Sequence, residues 1–260
     1  MIGRAASKYL AFARVARRLA SRERAEIYGR VAFFGVILAV FSSLWRAVAE
    51  SGMPVRTDSE ALVWYLMVTE WIVLAAPPLF ASMEEEVKRG DIAYRLPRPV
   101  SYLGAVLAEG AGQLVLRVPV LGAAGCSFAW LFTGRFPAAE LLWVLPLVGV
   151  ASFALMTFYV ILGLSAFWVG DVAPCYWVFQ KLLFVLGGLM LPLELYPAPL
   201  LDVAALTPFP RLLYGPGAVV LGSAEIATVT AWLLFWLVLA LAGAALMFRS
   251  ARRRLELNGG

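Results

Sequence analysis

Histidine is absent from the 260 residues, cysteine occurs only twice, and just 15% of the chain is charged. Each scarcity removes chemistry. Without an imidazole, a serine protease drawn around Gly163-Leu164-Ser165-Ala166 has no base, and no zinc site can be built on histidine. Cys126 and Cys175 are distant and form no Cys-x-x-Cys pair, so they read as packing residues. Gly170-Asp171 lacks the second buried aspartate that an intramembrane aspartyl protease requires. No glycine-rich loop ending in Lys-Ser/Thr is present, so ATP is not bound in that way. Energy for any driven work must come from a partner. The reading is no catalytic residue, no metal ligand and no cofactor in this chain.

What the chain has in abundance is apolar. Hydrophobic residues make up 62%, and the mean hydropathy is +0.82. Soluble domains are nearer half apolar and about a quarter charged. The excess falls in nearly uncharged runs at 31–45, 114–132, 141–169, 182–193 and 226–248. About 20 apolar residues in a helix cross the roughly 30 Å hydrocarbon core. The expectation is an all-α membrane protein, a single domain over 1–260. A cleaved signal peptide does not fit, because the polar lead is about 30 residues long and no small-residue cleavage site follows Trp45 and Arg46. The net charge of +5 does not point to nucleic acid, because the arginines lie beside the apolar runs.

Residues 1–30 hold eight Lys/Arg. At 100° per residue, Tyr9, Phe12, Ala16, Leu19, Ala20 and Ile27 share one face, with Arg14, Arg17, Arg18, Arg22 and Arg24 opposite. Such a basic amphipathic helix suits the headgroups of an anionic leaflet. Six transmembrane helices follow, at about 31–49, 61–81, 110–132, 141–169, 175–193 and 226–248. With both termini cytoplasmic, the inner segments carry sixteen Lys/Arg; the outer ones carry Arg56, Arg135 and Arg211. No internal repeat is evident, which weakens a secondary transporter made of two similar halves.

Two segments between spans stand out. The cytoplasmic loop 82–99 begins with Met83 to Lys88 in helical register, including Glu84, Glu85 and Glu86. Gly90 reads as a helix C-cap behind Lys88 and Arg89, Asp91 can cap a second short turn, and Pro97 and Pro99 stop it. A docking hairpin and an ordinary solvated connector both fit this composition. The outer segment 192–222 is broken by Pro192, Pro197, Pro199, Pro208, Pro210 and Pro216, with apolar pieces between. Irregular backbone at membrane depth survives only where protein covers it or it lines a cavity. Within or near the spans lie Glu70, Glu109, Arg117 and Lys181. A charge at a helix centre costs roughly 2.5–3.5 kcal/mol, so each should face protein or a wet cavity. Glu70 is the mid-span candidate for substrate or an inter-subunit contact; a plain helix-holding salt bridge fits it equally. Arg117 could pair with Glu109 or Glu70.

The stretch Arg89-Gly90-Asp91-Ile92-Ala93-Tyr94 followed by Leu96-Pro97-Arg98-Pro99 resembles the cytoplasmic loop of permease subunits in the type-2 ATP-binding-cassette exporter family. The likeness continues through Gly187-Gly188-Leu189-Met190-Leu191-Pro192, Tyr196-Pro197, Leu206-Thr207-Pro208-Phe209-Pro210 and Tyr214-Gly215-Pro216, and covers nearly the whole chain. The resemblance implies a dimer with a second permease subunit, identical or homologous, in a prokaryotic plasma (cell inner) membrane. Each half docks on an ATPase subunit that holds the ATP and Mg. By resemblance, the amino-terminal helix is an interfacial elbow helix. The coupling residues are Glu84, Glu85, Glu86, Val87, Arg89, Gly90, Asp91 and Ile92. The translocation pathway holds Glu70 and Arg117, and a re-entrant outer gate holds Pro192, Tyr196, Pro197, Pro208 and Phe209. The rivals are a self-contained secondary transporter or channel and a membrane enzyme acting on lipids; absent histidines and unclustered acids count against the latter.

Overall fold

The computed structural model describes residues 2–51, 58–95 and 100–258. Gly52, Pro54 and Arg56 of the first link, and the Leu96-Pro97-Arg98-Pro99 part of the cytoplasmic loop, lie outside these residues. Among the described residues the regular structure is helical, with no strand.

The amino-terminal helix is shorter than the expected 1–30. Helix α1 spans Ile2–Ala20, a turn follows, and α2 runs Arg24–Glu50. The Ser21 amide donates to the Arg17 carbonyl (3.0 Å) and its hydroxyl to the Arg18 carbonyl (2.8 Å), closing α1. Arg24 and Arg30 therefore belong to the base of the first apolar helix. Next come α3 (Ser59–Ala75) and α4 (Leu79–Arg89), separated at Pro77 and Pro78, where the missing amide and the fixed φ interrupt the helix. A short α5 (Ile92–Arg95) follows α4. Then α6 (Tyr102–Thr133) forms one long helix, capped by the Ser101 hydroxyl and closed by Gly134 at φ 69°. Helix α7 (Ala138–Leu164) continues as α8 (Ala166–Val169), and α9 spans Ala173–Leu186. A 3-10 turn (Leu193–Leu195), α10 (Ala198–Ala205), α11 (Phe209–Leu212) and α12 (Tyr214–Val220) lead to the long α13 (Ile226–Asn258).

Among the described residues, five helical segments are long and apolar enough to cross a membrane: Arg24–Glu50, Ser59–Arg89, Tyr102–Thr133, Ala138–Val169 and Ile226–Arg253. The remaining expected span, 175–193, is different. Helix α9 has 14 residues, roughly 21 Å at 1.5 Å per residue, short of the ~30 Å core. Gly188 ends it by taking φ 67°, and the Leu189 amide returns to the Phe184 carbonyl at 3.2 Å. This is the backbone pattern of a glycine-terminated helix.

Helix α6 is the packing centre, and small residues let its neighbours approach. Gly110 faces Met156 of α7, Gly112 the Ala13 backbone of α1, Gly122 the Trp71 ring of α3 and Gly125 the Phe34 ring of α2. Helix α3 is the most enclosed, with Tyr65, Leu66, Met67 and Val68 fully buried. The outward faces of α2, α9 and α13 carry exposed Phe33, Val36, Val178, Leu182, Phe235 and Val238. Water does not favour an apolar surface of this extent; lipid does.

Candidate functional site

The hairpin of α4 and α5 has an anchored base and an exposed tip. Leu79, Met83 and Ile92 are buried, fixing one face of α4 and the start of α5. Glu86 turns inward and accepts from Arg95 and from the Tyr102 hydroxyl (3.0 Å). Arg95 also donates to Glu109 of α6 at 2.6 Å and stacks over the Tyr102 ring at 5.3 Å. Partial burial alone would lower the Arg95 pKa; the carboxylates of Glu109 and Glu86 outweigh it and raise it above the usual arginine range. On the outer side, Glu84 pairs with Lys88 and Glu85 with Arg89, each one turn apart. Gly90 closes α4 at φ 75° in the left-handed region, as its sequence context suggests. The eight residues drawn from the sequence thus divide. Glu85, Arg89, Gly90 and Asp91 are exposed; Glu84, Glu86 and Val87 are half-buried, and Ile92 is enclosed. Tyr94, 78% exposed at the tip, completes the outward surface and had no separate signal in the sequence.

The proline-broken segment after α9 is fastened by α3. The Tyr65 hydroxyl donates to the Gly188 carbonyl, and the Thr69 hydroxyl to the Leu189 carbonyl at 2.6 Å. Both carbonyls lie just past the end of α9, where a helix leaves acceptors unsatisfied. Sequence reasoning missed these two donors, although Tyr65 and Thr69 sit one turn apart on the same face of an apolar span. Among the gate candidates, Pro192 and Phe209 are buried, Tyr196 and Pro208 half-buried, and Pro197 exposed. Phe209 meets Phe179 of α9 edge-on with centroids 5.4 Å apart. The Tyr214 hydroxyl donates to Glu194 at 2.5 Å, and burial together with this bond raises its pKa. Residues 215–220 are all buried, so α12 is covered by protein. Removing both α3 donors (Tyr65→Phe, Thr69→Val) should cost on the order of 1–3 kcal/mol per orphaned carbonyl. Hydrogen exchange across 187–197 should then accelerate at least tenfold, while exchange in α6 stays unchanged.

The charges within the spans are separated. Arg117 is 6% exposed and donates to Glu26 of α2 at 2.9 Å, an acceptor it shares with Arg30. Neither partner considered from the sequence, Glu109 or Glu70, holds it. Lys181 is exposed on α9, beside the rings of Trp177 and Phe184. Glu70 is 3% exposed and lines a cavity of about 270 Å³ bounded by α2, α3, α7 and α9. Among the described residues, no three histidine, cysteine, aspartate or glutamate side chains gather to hold a metal.

Packed apolar helices with lipid-compatible outer faces define a multi-pass membrane protein. Within that class, the profile described as "ABC-2 family transporter protein" matches residues 57–259, and the chain belongs to that family. It is the membrane permease component of an ATP-binding-cassette transporter, and family membership implies association with an ATPase subunit. No curated protein matches the chain.

Proposed function

We propose that this chain forms half of the translocation pathway of an ATP-driven exporter and couples to a separate ATPase subunit through the hairpin 82–99. The observation that carries the reading is the hairpin's construction. Glu86, Arg95 and Glu109 pin its base to α6, while Glu85, Arg89, Asp91 and Tyr94 face outward. A rigid arm with an open, mixed-charge tip transmits force between subunits better than a loose connector does. In this reading α1 is the elbow helix at the membrane surface. The strand of turns from Gly187 completes the fifth of six spans, both termini are cytoplasmic, and 192–222 is the outer gate. Glu70 faces the pathway, and a second permease subunit, identical or homologous, supplies the other half. The partner ATPase holds the ATP and Mg, and the membrane is the plasma membrane of a prokaryote. The sixteen-to-three distribution of Lys/Arg supports the orientation.

Affinity purification of the tagged chain should bring down an ATP-hydrolysing subunit in equal number. Cysteines placed at Tyr94 (78% exposed) and Leu206 (83% exposed) should label from the cytoplasmic and outer sides respectively. Solute transport by the chain alone in liposomes, without an ATPase, would instead support the secondary-transporter reading.

A further inference from the structure

The cavity at Glu70 has a composition that selects its ligand. Among the described residues no donor reaches the Glu70 carboxylate, although its side chain is almost fully buried. Gln180 of α9 lines the same space, and its Oε1 atom is buried without a partner. Arg30 also reaches the cavity, but its guanidinium is committed to Glu26 and to the Leu74 carbonyl (2.7 Å). Four aromatic rings and several aliphatic side chains, Ile37, Val73 and Met190 among them, make up the rest of the lining. Tyr159 and Tyr176 meet edge-on at 5.9 Å, and Phe184 and the exposed Phe33 also lie on the lining. Phe80 stacks on Tyr176 at 4.2 Å and holds that ring in place.

An unpaired carboxylate at membrane depth is costly, and either a proton or a cation from a ligand relieves it. A hard metal ion needs about six oxygen ligands, and this site presents few oxygens among its rings. An ammonium group satisfies every part: countercharge from Glu70, a hydrogen bond or dipole from Gln180, and cation–π attraction from the tyrosines. The volume, about 270 Å³, suits a head group and its first carbons only. The rest of such a molecule would follow the apolar faces of α2 and α9, where Val36 and Val178 are exposed. We propose that this cavity binds the ammonium head of a cationic amphiphile, with Glu70 as its counter-ion and Tyr176 as its aromatic floor. The inference rests on the reading of Glu70 as facing the transport pathway, and it names the substrate class.

The test is equilibrium dialysis of tritiated benzyltrimethylammonium against the purified full chain in a nonionic maltoside. One saturable site per chain is expected. Glu70→Gln and Tyr176→Leu should each weaken binding tenfold or more while the proteins elute as the parent does. Lys181→Ala, on the outer face of α9, should bind as the parent does. Neopentylbenzene, of the same shape without the charge, should not compete. Displacement by phosphatidylcholine and not by phosphatidylglycerol supports the site with a lipid head as the source. Displacement by neither lipid supports it with a soluble amine as the source. Absence of saturable binding, unchanged affinity in Glu70→Gln, or competition by the neutral isostere overturns the proposal. The assay uses no ATPase, so its failure beside intact ATPase coupling removes only the ligand. Binding without an associating ATPase removes the transport reading and leaves the site.

Discussion

Replacing Gly112 with leucine should detach α1 from the rest of the protein. A Cβ at this position would lie 2.0 Å from the Ala13 carbonyl oxygen and 2.7 Å from the Ala13 Cα. Atoms of this kind sit comfortably at about 3.5–4 Å, so the two helices would have to part by roughly 1.5 Å. The obstacle is backbone, which has no rotamer to change. Overpacking of a well-fitted contact costs about 1–3 kcal/mol even where side chains can adjust. Separation is opposed by the packing of α1 along α6, which buries Ala16 and Ala20 and sets the Tyr9 ring against Gly104, and by the Tyr9 hydroxyl, which accepts from the Ser101 amide at 3.1 Å; the added side chain must be accommodated against these contacts. A cysteine at position 16 should react with a water-soluble maleimide at least tenfold faster in Gly112→Leu than in the parent. Gly29→Leu is the control, because nothing lies within 4 Å of the Cβ it would add. Equal labelling in all three proteins would show that α1 does not depend on this contact.

The same helix shows what the sequence makes legible. The 100° periodicity of α1 marks its apolar face because that signal is local. Its end at Ala20 and its docking on Gly112 depend on a turn and on a partner helix distant in sequence. Hydropathy found the long spans but ran through Gly187 and Gly188, since an apolar window does not register a residue at φ 67°. Gly90 was readable as a cap because its basic neighbours and position are local features. The partner of Arg117 was not readable: Glu26 lies 91 residues away, beside an arginine with which it already pairs. The prolines of 192–222 announced a broken segment, whereas its fasteners are a tyrosine and a threonine of α3 that contribute nothing unusual to composition. Glu70 was conspicuous as a mid-span acid; the aromatic and amide groups around it come from α2, α7 and α9, and only folding assembles them.

The double variant Glu85→Lys, Gly90→Pro should leave the permease folded in the membrane with its ATPase partner still hydrolysing ATP, while transport falls to about a tenth or less. The argument turns on which interactions each change touches. Glu85 and Arg89 are 59% and 66% exposed, and an exposed pair one helical turn apart contributes only about 0.3–0.5 kcal/mol. Lysine at 85 therefore costs little stability, yet it changes the charge of the outward tip by two and sets like charges one turn apart. Gly90 holds φ 75° and its amide donates to the Val87 carbonyl at 3.1 Å. Proline allows neither, since its ring fixes φ near −65° and it has no amide hydrogen. The turn must open, displacing position 90 and Asp91 relative to the end of α4. Below the turn, Glu86, Arg95 and Glu109 still clamp the base, and Met83 and Ile92 remain enclosed. The lesion thus stays at the tip, which among the described residues of the hairpin presents the exposed Glu85, Arg89, Asp91 and Tyr94. Paired measurements of ATP hydrolysis and substrate uptake into vesicles, on the co-purified complex, decide the matter. Transport at the parent rate would remove the hairpin from the coupling path; loss of the protein from the membrane would mean that the clamp, rather than the tip, had failed.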